Sequence, residues 1–106
     1  MPKYLFQANY TAAGTKGLVS EGGTGRRNLI AHMCRELGGE LESYYYAFGE
    51  SDVYAVADLP DDITAASVTL AINQSGAVNL KTTVLLAPED IDTAARKMTK
   101  YRAPGE

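Results

Sequence analysis

Asp52 closes the tetrad Gly49-Glu50-Ser51-Asp52 between two apolar runs. A carboxyl group held there away from water would have its pKa raised toward neutrality and could accept a proton. The plainer use of an aspartate at such a place is to accept backbone N–H groups of the turn. His32 stands four residues before Glu36, so the two meet on one helix face. They supply at most half of a metal site, and the competing reading is a solvent-facing pair. The chain has one histidine and one cysteine, so no protein-only metal centre and no cofactor is expected. Ser43 and Ser51 lie in no motif that would activate a hydroxyl.

Two further groups have the composition of a binding site. Gly22-Gly23-Thr24-Gly25-Arg26-Arg27 joins a glycine-rich helix start to two guanidinium groups, a combination that favours an anion. It lacks a Walker motif and the third glycine of a dinucleotide fingerprint. Tyr44, Tyr46 and Tyr54, together with Gln7 and Asn9, offer an apolar surface with a few polar groups. That is the usual make-up of a small-molecule pocket and equally of a subunit interface. Alternation alone does not say which strand parity faces the helices.

The elements that must position these residues follow from periodicity. Lys3 to Tyr10 alternates as a first strand, with Tyr4, Phe6, Ala8 and Tyr10 on one face. Thr11 to Glu21 reads as a helical or loosely wound stretch, broken at Gly22-Gly23. Thr24 is then the expected N-cap of a helix from Arg26 to Leu37, whose stripe is Leu29, Ile30, Met33, Cys34 and Leu37. Cys34 falls on that stripe as a small core residue rather than a nucleophile. Gly38-Gly39 ends the helix.

Glu40 to Phe48 is a second strand and Val53 to Ala57 a third, joined as an antiparallel hairpin. Pro60-Asp61-Asp62 opens a helix whose Ile63, Ala66, Ser67, Leu70 and Ala71 form a small-residue face suited to a sheet. Gly76 ends it, Ala77 to Leu86 is a fourth strand, and Pro88 starts a last helix. Its stripe is expected to run through Ile91, Ala94, Ala95, Met98 and Tyr101, with Lys97, Lys100 and Arg102 at the carboxyl end. The fold class is therefore α+β, a ferredoxin-like βαββαβ order with an extra C-terminal helix and a four-stranded antiparallel sheet.

With 106 residues the chain is expected to form a single domain, residues 1–106, with a thin core. The helices of this pattern cover one sheet face only. Aromatic residues on the other would expose more apolar area than monomers usually tolerate, which predicts a homodimer or larger assembly through that face. Net charge is −3 with scattered lysine and arginine, so a nucleic-acid partner is not expected. No apolar segment spans a bilayer and none resembles a leader, so a cytoplasmic protein without membrane contact is expected.

The run Lys3 to Thr11, the segment Gly22 to Arg27, Gly39-Glu40-Leu41-Glu42-Ser43, Phe48 to Val53 and Leu80-Lys81-Thr82-Thr83 together resemble the GYD-domain proteins over nearly the whole chain. The resemblance implies a small prokaryotic domain without an established activity. Its likeness to the dimeric α/β barrel superfamily implies two sheets paired around a barrel. The chain departs at the motif itself: Gly49 and Asp52 stand where its glycine and aspartate fall, but Ser51 takes the place of its tyrosine, so no role of that ring carries over.

The first functional expectation is a self-associating module that binds a small aromatic or anionic metabolite, with Gln7, Asn9, Arg26, Arg27, Tyr44, Tyr46 and Tyr54 as candidate ligand contacts. The second, by fold analogy alone, is a cofactor-independent monooxygenase or isomerase in which Asp52, His32 or a tyrosine moves protons. The third is a ligand-sensing domain acting through a separate effector.

Overall fold

A computed structural model describes all residues from Met1 to Glu106. The elements are β1 (Lys3–Tyr10), α1 (Ala12–Glu21), α2 (Gly23–Glu36), β2 (Glu40–Tyr46), β3 (Val53–Asp58), α3 (Asp62–Gln74), β4 (Val78–Leu85) and α4 (Pro88–Arg96). The four strands make one sheet in the order β2-β3-β1-β4, and every pairing is antiparallel. The result is an α+β fold with an open four-stranded sheet and four helices, compatible with the ferredoxin-like pattern.

The central strands bury every second side chain. Tyr4, Phe6 and Ala8 of β1 and Val53, Ala55 and Ala57 of β3 point to the helix side. Leu59 and Tyr4 are fully buried, and the Tyr4 hydroxyl donates to Asp62 Oδ1 at 2.6 Å, tying β1 to the first turn of α3. Val78 and Leu80 of β4 complete this face. Helix α2 lies over β2 and α3 over β4, so each helix sits on a flank of the sheet.

Local chemistry accounts for the helix ends. Thr11 Oγ1 accepts the Gly14 N–H at 3.2 Å and caps α1, turning the loosely wound stretch into a regular helix. Gly22 has φ 92° and serves both helices at once: its N–H bonds Leu18 at 2.7 Å, and it is the N-cap of α2. The expected cap, Thr24, lies inside α2 instead, because this glycine-only conformation makes the corner two residues earlier. At the other end, Gly38 has φ 83°, and the bonds Gly39 N to Cys34 O (2.8 Å) and Gly38 N to Arg35 O (3.1 Å) form a Schellman closure. Asp61 caps α3 through the Thr64 N–H at 2.8 Å.

Three expectations are corrected. Helix α3 turns Ala65, Val68, Thr69 and Ile72 to the sheet, while Ile63 and Leu70 face solvent. Both stripes are apolar enough to satisfy periodicity, but only the buried one carries groups that bond β4: Thr69 meets the Thr82 hydroxyl at 2.6 Å, and Asn73 brackets Leu80, accepting its N–H at 2.6 Å and donating to its carbonyl at 3.2 Å. Strand β2 does not alternate throughout. A bulge between Leu41 and Ser43 shifts the register, so Leu41, Tyr44 and Tyr46 share one face. Helix α4 stops at Arg96, before Met98 and Tyr101, since a segment this short with no surface beneath it cannot propagate far.

Two glycines separate conformational need from space. A Cβ on Gly39 would lie 2.0 Å from the Asp58 carbonyl oxygen, whereas one on Gly17, inside α1, would meet nothing within 4 Å. Gly39→Ala is therefore expected to destabilise the fold by ~1–3 kcal/mol through overpacking against backbone. Gly17→Ala should stabilise it by ~0.5–1 kcal/mol. Urea unfolding midpoints moving in opposite directions would bear this out, and equal shifts would refute it.

Candidate functional site

The β2–β3 loop folds back on the end of β1 and is fastened there by Asp52. Its backbone N–H donates to the Ala8 carbonyl at 2.8 Å and lies 3.2 Å from Asn9 Oδ1, and its Oδ2 accepts the Tyr10 N–H at 2.9 Å. This double anchor is the turn-bonding role. Ser51, in the position of the motif tyrosine, is buried and 3.5 Å from Gln7 Nε2.

Beside this anchor the loop faces the joint between α1 and α2. The space between them is an open cleft of about 530 Å³, lined by Tyr10, Leu18, Gly22, Gly23, Tyr46 and Asp52 among others. Tyr46 lies against the first turn of α2 and donates its hydroxyl proton to the Gly23 carbonyl at 3.0 Å. Tyr44 meets Tyr46 edge-on, with ring centroids 5.4 Å apart and an interplanar angle of 75°. Behind them, between the sheet and the helices, an inner cavity of about 50 Å³ has almost wholly apolar walls. Its polar contributions come from Tyr10, Tyr44 and Arg26, and Tyr10 belongs to both spaces.

The cavity has a definite origin in the sequence. The sheet beneath it includes Ala8, Ala55 and Ala57 among larger side chains such as Phe6 and Val53, and the helices above sit on the flanks. Short side chains at the centre leave a gap that leucines would have filled. A space of roughly 10–15 Å³ suffices for one water, so the gap is large enough for a compact group of a few heavy atoms.

Electrostatics set the state of the phenols. Burial, then hydrogen bonding with Tyr10 and Tyr46, pushes the Tyr44 hydroxyl far above its ordinary pKa of 10.0. Burial also raises Tyr46, with the nearby Arg26 charge pulling the other way. Both are therefore neutral hydrogen-bonding groups near pH 7. Arg26 is mostly buried, and its Nη1 lies 3.6 Å from Glu21 Oε1, a long ion pair that leaves most of its donors uncommitted. Burial raises the Cys34 thiol, which lies on the cavity wall as the expected small core residue.

The bulge in β2 divides the sequence-level candidates between the two sheet faces. Tyr44, Tyr46 and Arg26 converge on the helix side. Tyr54 and Gln7 are cross-strand neighbours on the open side, where Tyr54 also pairs with Tyr45, and Asn9 is spent on the Asp52 N–H. Arg27 is exposed on α2, beside Asn28 at 3.4 Å, and does not join Arg26, because adjacent helix positions point about 100° apart. His32 pairs with Glu36 on the exposed side of α2 and lines neither space. No group of three potential ligands that could hold a metal ion occurs. The residue overlooked in the sequence is Tyr10: it shares the parity of Tyr4, Phe6 and Ala8, which was the available signal.

A family model described as GYD domain matches residues 4–95. No curated protein and no solved structure matches the chain. No helix is long and apolar enough to cross a membrane.

The raised phenols have a consequence at high pH. Tyr4 is pushed up to about 12 by burial and then by its bond to Asp62, and Tyr44 rises as well. Because each folded value exceeds the unfolded one near 10, the stability they contribute is complete below about pH 10 and is lost as pH rises through the folded values. In a phenolate absorbance titration, fewer than the seven tyrosines should ionise by about pH 11 while circular dichroism still reports the native fold. Ionisation of all seven together near pH 10 in folded protein would contradict the assigned environments.

Proposed function

This chain belongs to the GYD-domain family, and from that premise we propose that it works as a self-associating binding module: two copies pair through their open sheet faces, and each holds a small aromatic or anionic molecule where the open cleft at the α1–α2 joint meets the inner chamber. One observation carries the pairing. The face opposite the helices has no cover, and side chains that adjoin on it by register include Leu5, Tyr45, Tyr54, Val56 and Leu85. Tyr45 is 72% exposed at its edge.

The surrounding positions are charged: Lys3, Glu40, Glu42, Asp58 and Lys81. Lys3 bonds both Glu42 and Asp58 at 2.9 Å, holding that rim in one conformation. An apolar centre within a polar rim is the anatomy of a protein interface. It also resists non-specific edge pairing, since charge lines the margin.

The binding half of the reading rests on the chamber. At about 50 Å³ it is smaller than the ~150 Å³ that takes a benzene ring, so it would admit only a compact head group at Tyr10, Tyr44 and Arg26, while a ring would lie in the open cleft beside Tyr10 and Tyr46. Binding is favoured over turnover by the state of these groups. Tyr44 is held as a neutral phenol, His32 faces solvent elsewhere, and the Asp52 carboxylate is engaged by the Tyr10 N–H. A proton carrier working near neutral pH would need a group with a matched pKa within reach of the ligand.

The pairing is tested by Tyr54→Asp, which places a charge at the centre of the open face and touches no residue of the helix side. Sedimentation equilibrium should report a dimer dissociation constant raised at least tenfold, with the monomer fold kept. Wild-type protein that stays monomeric at millimolar concentration would refute the pairing. For the chamber, Arg26→Ala should weaken binding of a small aryl carboxylate such as benzoate at least fivefold in a thermal-shift titration. An unchanged response, or none from the wild type across an aryl carboxylate and phenol panel, would count against it.

A further inference from the structure

Helix α4 and the residues after it touch almost nothing in their own chain. Every residue of α4 is exposed, and so are the apolar Leu86, Met98 and Tyr101 that flank it. The overall shape records the same fact. The molecule measures 57 × 34 × 22 Å with a radius of gyration of 17.0 Å, against about 13 Å for a compact chain of this length.

Nevertheless α4 is not built as a solvated helix. Ile91, Ala94 and Ala95 form one apolar stripe, continued by Met98, and Glu89, Asp90, Asp92 and Arg96 take the other positions. Its start is specified too: Pro88 is at the first helical position, and Asp90 Oδ2 accepts the Ala87 N–H at 3.0 Å. Nine residues cannot hold a helix alone in water, so an amphipathic segment of this length needs a surface to lie on. Glu89, Asp90 and Asp92 oppose Arg96, Lys97, Lys100 and Arg102, so the segment lacks the basic polar face that seeks an anionic lipid surface. The family match runs through most of α4, so the helix lies within the domain.

The area required by a dimer identifies the occupant. With strands about 4.8 Å apart and about 3.3 Å per residue, the open sheet face has a footprint of roughly 450 Å². A stable interface takes about 800 Å² from each partner. One side of a nine-residue helix offers roughly 150 Å², and in a two-fold pair each copy both gives one arm and receives one. The exchange brings the footprint close to what stability needs, before the last ten residues are counted.

We propose that α4 is an exchanged arm, whose Ile91–Ala95–Met98 stripe lies on a second copy of this chain and clasps the pair already joined through the sheets. The inference rests on the pairing reading above and adds a second, separable contact to it. The arm holds the partner, and the sheet face sets the register.

Hydrogen exchange on the wild-type chain, followed above and below the dimer dissociation constant, tests it together with the full-length double variant Ile91→Asp, Ala95→Asp. Both substituted side chains are solvent-exposed in the single chain, so its fold should survive, as circular dichroism would verify. The arm predicts that amides of residues 89–98 gain protection only where dimer forms, and that the variant dissociates at least tenfold more readily. A wild-type dimer with open α4 amides at every concentration, or a variant that pairs as well as wild type, overturns the arm and leaves the sheet pairing standing. Protection of α4 that does not depend on concentration means the arm folds on its own chain, which also overturns it. A wild-type chain monomeric throughout removes both.

Discussion

Coverage on one side only is the constraint from which the other features of this domain follow. Helices α2 and α3 lie on the same face of a four-stranded sheet, and each sits over a flank rather than over the middle. Ala8, Ala55 and Ala57 stand among the larger side chains of the middle, so the helix side keeps a small apolar chamber, and the opposite side keeps no cover at all. The core the chain does form is tightly specified, with no buried side-chain polar atom left without a partner.

Within that frame a single irregularity in β2 decides what the aromatic residues do. Had Glu40 to Tyr46 alternated without interruption, Leu41 would share a face with Ser43 and Tyr45, and Tyr44 and Tyr46 would point with Glu42 toward water. The extra residue between Leu41 and Ser43 moves Tyr44 and Tyr46 to the helix side and leaves Tyr45 beside Tyr54 on the open side. The three tyrosines in a row thereby serve two surfaces. Tyr44 forms the polar end of the chamber with Tyr10 and Arg26, Tyr46 lines the outer cleft, and Tyr45 belongs to the surface proposed to meet a second copy. Removing the bulge would exchange these duties, since side-chain direction in a strand repeats every two residues.

The loop after β2 joins these two surfaces. Asp52 bonds the backbone of β1 on both sides of Asn9, which fastens the hairpin end to Tyr10 and the wall of the outer cleft. Asp52 has a structural use here that does not depend on an aromatic ring at position 51. Ser51 is buried and near Gln7, so the smaller side chain is accommodated inside rather than presented to a ligand.

What was written in the residues themselves was the order of elements, the hairpin, the opening of α3 at Pro60-Asp61-Asp62, the closure of α2 by Gly38-Gly39, the burial of Cys34 and the family. Each is a local pattern: a two-residue or 3.6-residue repeat, a glycine where φ must be positive, an aspartate before a helix. Tertiary structure alone decided which parity of β2 met the helices, which of two apolar stripes of α3 was buried, that Arg26 turned inward while Arg27 did not, and that Tyr10 belonged to the site. These depend on register and on contacts between segments tens of residues apart. A bulge of one residue, or a hydrogen bond such as that of Asn73 with Leu80, tips choices that hydrophobicity leaves balanced.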